Sequence, residues 1–91
     1  MLYIVSYDIP DNKRRIKLAK LLEDYGQRVQ YSVFELEVSP EMFERVKREM
    51  GYLFELEEDN IRVYPICAAC AKNVEKVGTA VKYAREEYLV L

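Results

Sequence analysis

The chain has 91 residues, 51% of them hydrophobic and 33% charged, with three glycines and three prolines, a composition that suits one globular domain and excludes a disordered or low-complexity chain. It contains no histidine, which excludes imidazole acid–base catalysis, a Ser-His-Asp triad and any His-containing zinc site. The net charge of −2 exerts no overall pull on nucleic acid, yet residues 11–28 hold six cations against three anions, so a local basic surface sits on a mildly acidic body.

Residues 2–9, LYIVSYDI, read as the first strand. Tyr3, Val5, Tyr7 and Ile9 fall on one face and Leu2, Ile4, Ser6 and Asp8 on the other. Both faces begin apolar, which predicts a central strand, and the second face turns polar towards its end at Ser6 and Asp8. The segment has no basic n-region and is too short to span a membrane, so a cytoplasmic location with reduced cysteines is expected.

A helix is predicted after Pro10, capped by Asp11 or Asn12 and ending at a Gly26 C-cap. Ile16, Ala19, Leu22 and Tyr25, with Leu18 and Leu21, make its buried stripe, and Lys13, Lys17, Lys20 and Asp24 share the opposite face. Residues 28–38, RVQYSVFELEV, are strand-like, but their apolar positions change parity between Val33 and Phe34. A single flat strand would then expose half of them, so either a bulge or a very tight connection between two strands is required.

Ser39 and Pro40 open a second helix with Met42 or Phe43, Val46, Met50 and Leu53 or Phe54 towards the core. An acidic loop from Glu55 to Asn60 follows, and then a strand, IRVYPIC, in which Pro65 predicts a sheet edge or a bulge. Residues 71–87 fit either helix or strand in their first part and helix in their second. The terminal YLVL is expected to add to a sheet edge, most simply that of a second copy.

The order β-α-β-β-α-β predicts a ferredoxin-like α+β domain over residues 1–91: an antiparallel sheet with two helices on one face. The open face calls for a cover, and a homodimer supplies one, which also suits a chain short enough to bury only about 60–65% of its unfolded surface.

Asp8 is the first candidate site residue. As a lone acid it reads most simply as a helix cap or as the partner of Arg14 or Arg15. As a ligand for Mg²⁺ it needs a second carboxylate, which a two-fold axis would bring from a second copy. Arg14, Arg15, Lys17, Lys20 and Arg28 form either an ordinary solvated helix surface or a phosphate-contacting patch. Cations in a helix's first turn oppose the helix dipole, and an incoming phosphate would relieve that. Tyr7, Tyr31 and Phe34 serve either core packing or base stacking. Cys67-Ala-Ala-Cys70 is a lone CxxC with half the ligands of a structural zinc site, so a packed or disulfide-bonded pair is the simpler reading.

Taken together, "YDIPDNKRR" after an apolar strand, "YGQRVQYSVFELEV" and "DNIRVYPIC" resemble the small CRISPR-associated protein of the spacer-acquisition machinery, the "Cas two" family, over roughly residues 1–70. The resemblance implies the ferredoxin-like fold and a homodimer in which the C-terminal segment, about 71–91, adds a strand to the partner's sheet. It implies that Asp8 faces its twin and serves as metal ligand and catalytic residue with Mg²⁺ or another divalent ion, and that Arg14 or Arg15, Arg28 and Phe34 belong with the nucleic-acid contacts. Two activities are implied: a metal-dependent endonuclease acting on RNA or DNA, or a non-catalytic bridge that binds double-stranded DNA and joins a CRISPR integrase subunit. The basic residues and the dimer meet the needs of the bridge more fully than those of catalysis, because no side chain is an obvious general base. An RNA-cleaving toxin-like dimer and a ligand-sensing dimer share the fold and remain the alternatives.

Overall fold

The computed structural model describes residues 1–78. Its elements are β1 (Leu2–Asp8), α1 (Asn12–Glu23), β2 (Gln27–Gln30), β3 (Val33–Glu37), α2 (Pro40–Gly51), β4 (Asn60–Ile66) and a single-turn α3 (Ala68–Ala71). The four strands form one sheet in the order β2-β3-β1-β4, every neighbouring pair antiparallel. With two helices on one side, this is the ferredoxin-like arrangement expected from the element order.

The alternation in β1 does what its period dictates. Tyr3, Val5 and Tyr7, together with Ile9, are buried beneath the helices, joined there by Phe34 and Leu36 from β3. Leu18, Ala19 and Leu22 of α1 and Phe43, Val46 and Met50 of α2 close the core. Tyr3 and Phe43 stack with ring centroids 4.0 Å apart and planes 5° from parallel, which fastens α2 to the middle of the sheet. Burying a side chain of the size of Phe34 or Leu22 completely contributes about 1.5–3 kcal/mol each.

Ile16, expected in the buried stripe, is half exposed. Residues 15, 18, 19 and 22 form the helical row that meets the sheet, so Arg15 takes the inward position of the first turn and Ile16 is rotated to the flank. The helix N-termini are built as predicted: Asp11 accepts from Arg14 N at 2.9 Å, and Ser39 accepts from Met42 N at 3.1 Å with Pro40 in the first turn. Gly26 has a different reason from the one expected. The C-cap of α1 is Asp24, in ordinary helical conformation. Gly26 is needed because a Cβ there would lie 2.2 Å from the Glu35 carbonyl oxygen, so no side chain fits where β2 begins against β3.

Both remedies for the parity change at residues 33 and 34 are used. β2 and β3 form a hairpin joined by Tyr31 and Ser32, and the register shifts between Arg28 and Gln30. Pro65 lies on β4, which is an edge strand among the described residues. The Lys72–Gly78 stretch contains no strand, and the expected strand exchange and the helix over TAVKYAREE fall largely on residues 79–91, outside the described ones.

Candidate nucleic-acid interface

Asp8 ends β1 opposite Asn60, and its side chain is exposed. By strand parity it shares a face with Ile4 and Ser6, and with Arg62, Tyr64 and Ile66 across the β4 ladder. Among the described residues, this is the face without helices. Among the described residues no group of three Asp, Glu, Cys or His could hold a metal ion. A single carboxylate does not make a Mg²⁺ site, so one protomer alone does not fit the ion.

Two arginines of the first α1 turn have internal duties. Arg14 forks onto Asp59, Nε to Oδ2 at 2.9 Å and Nη2 to Oδ1 at 3.0 Å, and Nη2 also reaches Glu58 Oε1 at 3.0 Å. The Asp59 side chain is fully buried and also accepts from Glu55 N at 2.9 Å. The Arg14 guanidinium holds the Asp59 carboxyl below its ordinary range, against the opposing effect of burial. Arg14, expected among the nucleic-acid contacts, is therefore occupied in tying α1 to the loop that leads into β4. Arg15 donates from Nη1 to the carbonyl oxygens of Ile9, at 2.9 Å, and Pro10, at 3.3 Å, and from Nη2 to Asn12 Oδ1. It clamps the turn that follows Asp8. Lys17, with Lys13 and Lys20, is exposed on the far side of α1 and forms no ion pair among the described residues.

Arg28 differs from all of these. Its guanidinium carbon lies 5.4 Å from the centroid of the Phe34 ring, and its buried Nε has no acceptor among the described residues. Phe34 is fully buried, so it offers no face for a base to stack on. This corrects its expected role: the ring supports Arg28 rather than meeting a ligand. Tyr7 completes the group, its ring 6.3 Å from that of Phe34. Burial pushes the Tyr7 hydroxyl up, and Arg28 and Arg15 pull it back. The sequence presents Tyr7 only as a packing or stacking residue. Its alternation with Val5 and Phe34's parity place it under the helices, but its closeness to Arg28 depends on the bulge in β2, which no local motif announces.

The structure thus separates the expected residues into three places. Asp8 stands on the open face, Arg28, Phe34 and Tyr7 lie on the helix side, and the lysines line the outside of α1. Residues 1–74 match the family model described as CRISPR associated protein Cas2. The chain belongs to the Cas2 family. It is 43% identical over 90 residues to the CRISPR-associated endoribonuclease Cas2 4 of Rhodospirillum rubrum, covering 98% of this chain and 73% of the relative. It is 51% identical over 77 residues to the endoribonuclease Cas2 3 of Synechocystis sp., covering 85% of this chain and 84% of that one. Among solved structures, Streptococcus pyogenes Cas2 at pH 6.5 superposes with a TM-score of 0.75 at 37% identity, over 86% of this chain and all of that one. A chain of a partial Cas6-RT-Cas1–Cas2 complex superposes with a TM-score of 0.71 at 32% identity, over 84% and 89%. No helix among the described residues is long and apolar enough to cross a membrane.

Proposed function

We propose that this Cas2 family member works in CRISPR adaptation as a homodimer that binds double-stranded nucleic acid and bridges an integrase subunit. The observation that carries this reading is the position of Asp8 on the same sheet face as Ile4, Tyr64 and Ile66, a face that no helix among the described residues covers. That face holds apolar side chains, with Tyr64 45% exposed, and a second copy packed against it would cover them. The same packing would bring two exposed Asp8 carboxylates towards one axis. Lys13, Lys17 and Lys20, with the half-buried Arg28, are then the groups that track a phosphate backbone, and such contacts position a duplex without reading its sequence. A structural neighbour that is itself part of a Cas1–Cas2 complex supports the integrase partner.

Mg²⁺-dependent hydrolysis of phosphodiester bonds is the second reading. It is favoured by the endoribonuclease names of the relatives and by the placement of Asp8. Two Asp8 residues from a dimer would hold the ion, with water filling its remaining positions, and the ion would supply Lewis-acid stabilisation at the phosphate.

Sedimentation tests the first reading. The full chain should run at twice the protomer mass, and Tyr64→Glu should shift it to the protomer with an unchanged far-UV spectrum. A wild-type protomer at micromolar concentration would refute the dimer. Asp8→Asn separates the two activities: it should abolish Mg²⁺-dependent cleavage while duplex binding and spacer integration persist. Cleavage that survives the change would exclude Asp8 as the metal ligand.

A further inference from the structure

Cys67 and Cys70 lie outside every group assigned so far. Cys67 follows directly on β4 and is the N-cap of the single turn α3, with extended backbone (φ −68°, ψ 164°). The turn is closed by Ala71 N donating to Cys67 O at 2.8 Å. Residues i and i+3 of such a turn lie on one side, so both thiols project from the same edge of the turn, and both are free and exposed. Their surroundings are unequal. The Cys67 thiol is drawn below the usual cysteine value, first by the Cys70 backbone N–H and then by the Cys70 thiol, and the Cys70 thiol is pushed up by Cys67.

We propose that Cys67 and Cys70 form a reversible dithiol–disulfide couple, with Cys67 as the attacking sulfur and Cys70 as the resolving one. The oxidant is a small-molecule disulfide of the glutathione class. The Cys67 thiolate attacks one of its sulfurs, a Cys67–glutathione bond forms, and the first glutathione leaves as thiolate. Cys70 gives its proton to solvent and attacks Cys67 Sγ. The internal disulfide forms, the second glutathione leaves, and both leaving thiolates take up protons. The protein is oxidised by two electrons and the small disulfide is reduced to two thiols. No charge buried in the core is disturbed, because both sulfurs are at the surface. The closed ring would staple the turn at the root of β4, an edge strand that pairs with β1 along its whole length.

The full chain, reduced and then incubated anaerobically with oxidised glutathione at neutral pH, should become lighter by two hydrogens, resist alkylation and return to the dithiol with excess reduced glutathione. Cys70→Ser should stop at a single glutathione adduct on Cys67, and Cys67→Ser at a single adduct on Cys70, neither forming an internal disulfide. Two glutathione adducts with no internal bond, or a disulfide formed between chains, would overturn the proposal. So would stoichiometric zinc on the reduced chain that blocks oxidation.

Discussion

The two faces of the sheet come from the same strands and have opposite fates. On one, Val5, Phe34 and Leu36 are fully sealed beneath α1 and α2. On the other, one residue along each strand, Ile4 and Ser6 are half-buried and Asp8 and Tyr64 exposed. The difference teaches that the residues marked by type as functional divide by parity. Phe34 falls on the packed face and supports an arginine from within, whereas Asp8 falls on the open face, where a partner or ion can reach it.

The largest expected effect comes from breaking the packed face. Phe34→Ala should cost about 3–5 kcal/mol of folding stability in urea denaturation, the usual range for deleting a buried aromatic ring. It should also weaken nucleic-acid binding through Arg28, which loses its support. Phe34→Leu should recover most of the stability but not the cation–π contact. If Phe34→Leu binds nucleic acid as wild type does, the ring does not position Arg28. On the open face Ile4→Ala should cost well under half as much in the isolated protomer, because its side chain is only partly buried there.

The next effect lies at the seam between α1 and the loop before β4. The folded value of the Asp59 carboxyl is depressed, chiefly by the hydrogen bonds from Arg14. A depressed acid contributes stability above its unfolded value, close to 3.8, and loses that contribution as the pH falls through the lower folded value. Arg14→Gln should therefore lower Tm by on the order of 10 °C near neutral pH, where it leaves a buried carboxylate unpaired, and by much less once the pH has fallen through that depressed folded value. A Tm difference that stays constant from neutral to acid pH would mean that the Arg14–Asp59 pair is not the source of the stability.

The legibility of each feature in the sequence follows from the range of the interaction behind it. The alternation of Tyr3, Val5 and Tyr7 and the caps at Asp11 and Ser39 are local, set by residues within a few positions of one another, and the sequence alone specifies them. The parity change at Val33 and Phe34 announces an irregularity but not its form, because the hairpin turn carries no glycine and no positive φ among its residues. By sequence Asp59 is one more acid in an exposed loop. Its partner is 45 residues away, and only the fold, which sets the first turn of α1 against the loop before β4, brings them together. Arg14 and Lys17 look equivalent on a basic helix for the same reason. Asp8 is recognisable as the end of a strand and as part of a family motif, while its place on the face opposite α1 and α2 depends on which parity those helices choose.

The smallest effect is the sharpest test of α1. Arg14 and Lys17 are one turn apart and carry the same charge, yet Arg14 is held by Asp59 and Glu58 and Lys17 is exposed, without an ion pair among the described residues. Lys17→Ala should change folding stability by no more than about 0.5 kcal/mol, as is usual for an exposed position. If Lys17 meets a phosphate, the same change should weaken duplex binding at every sequence alike and lower the slope of log affinity against log salt by about 1, the release of one counterion. Arg14, already neutralised within the protein, releases none, so Arg14→Gln should leave that slope as it is even though it lowers Tm far more. A slope that responds to Arg14 and not to Lys17 would reverse the assignment, and the nucleic acid would then have to approach across the seam between α1 and the loop before β4 rather than along the outer face of the helix.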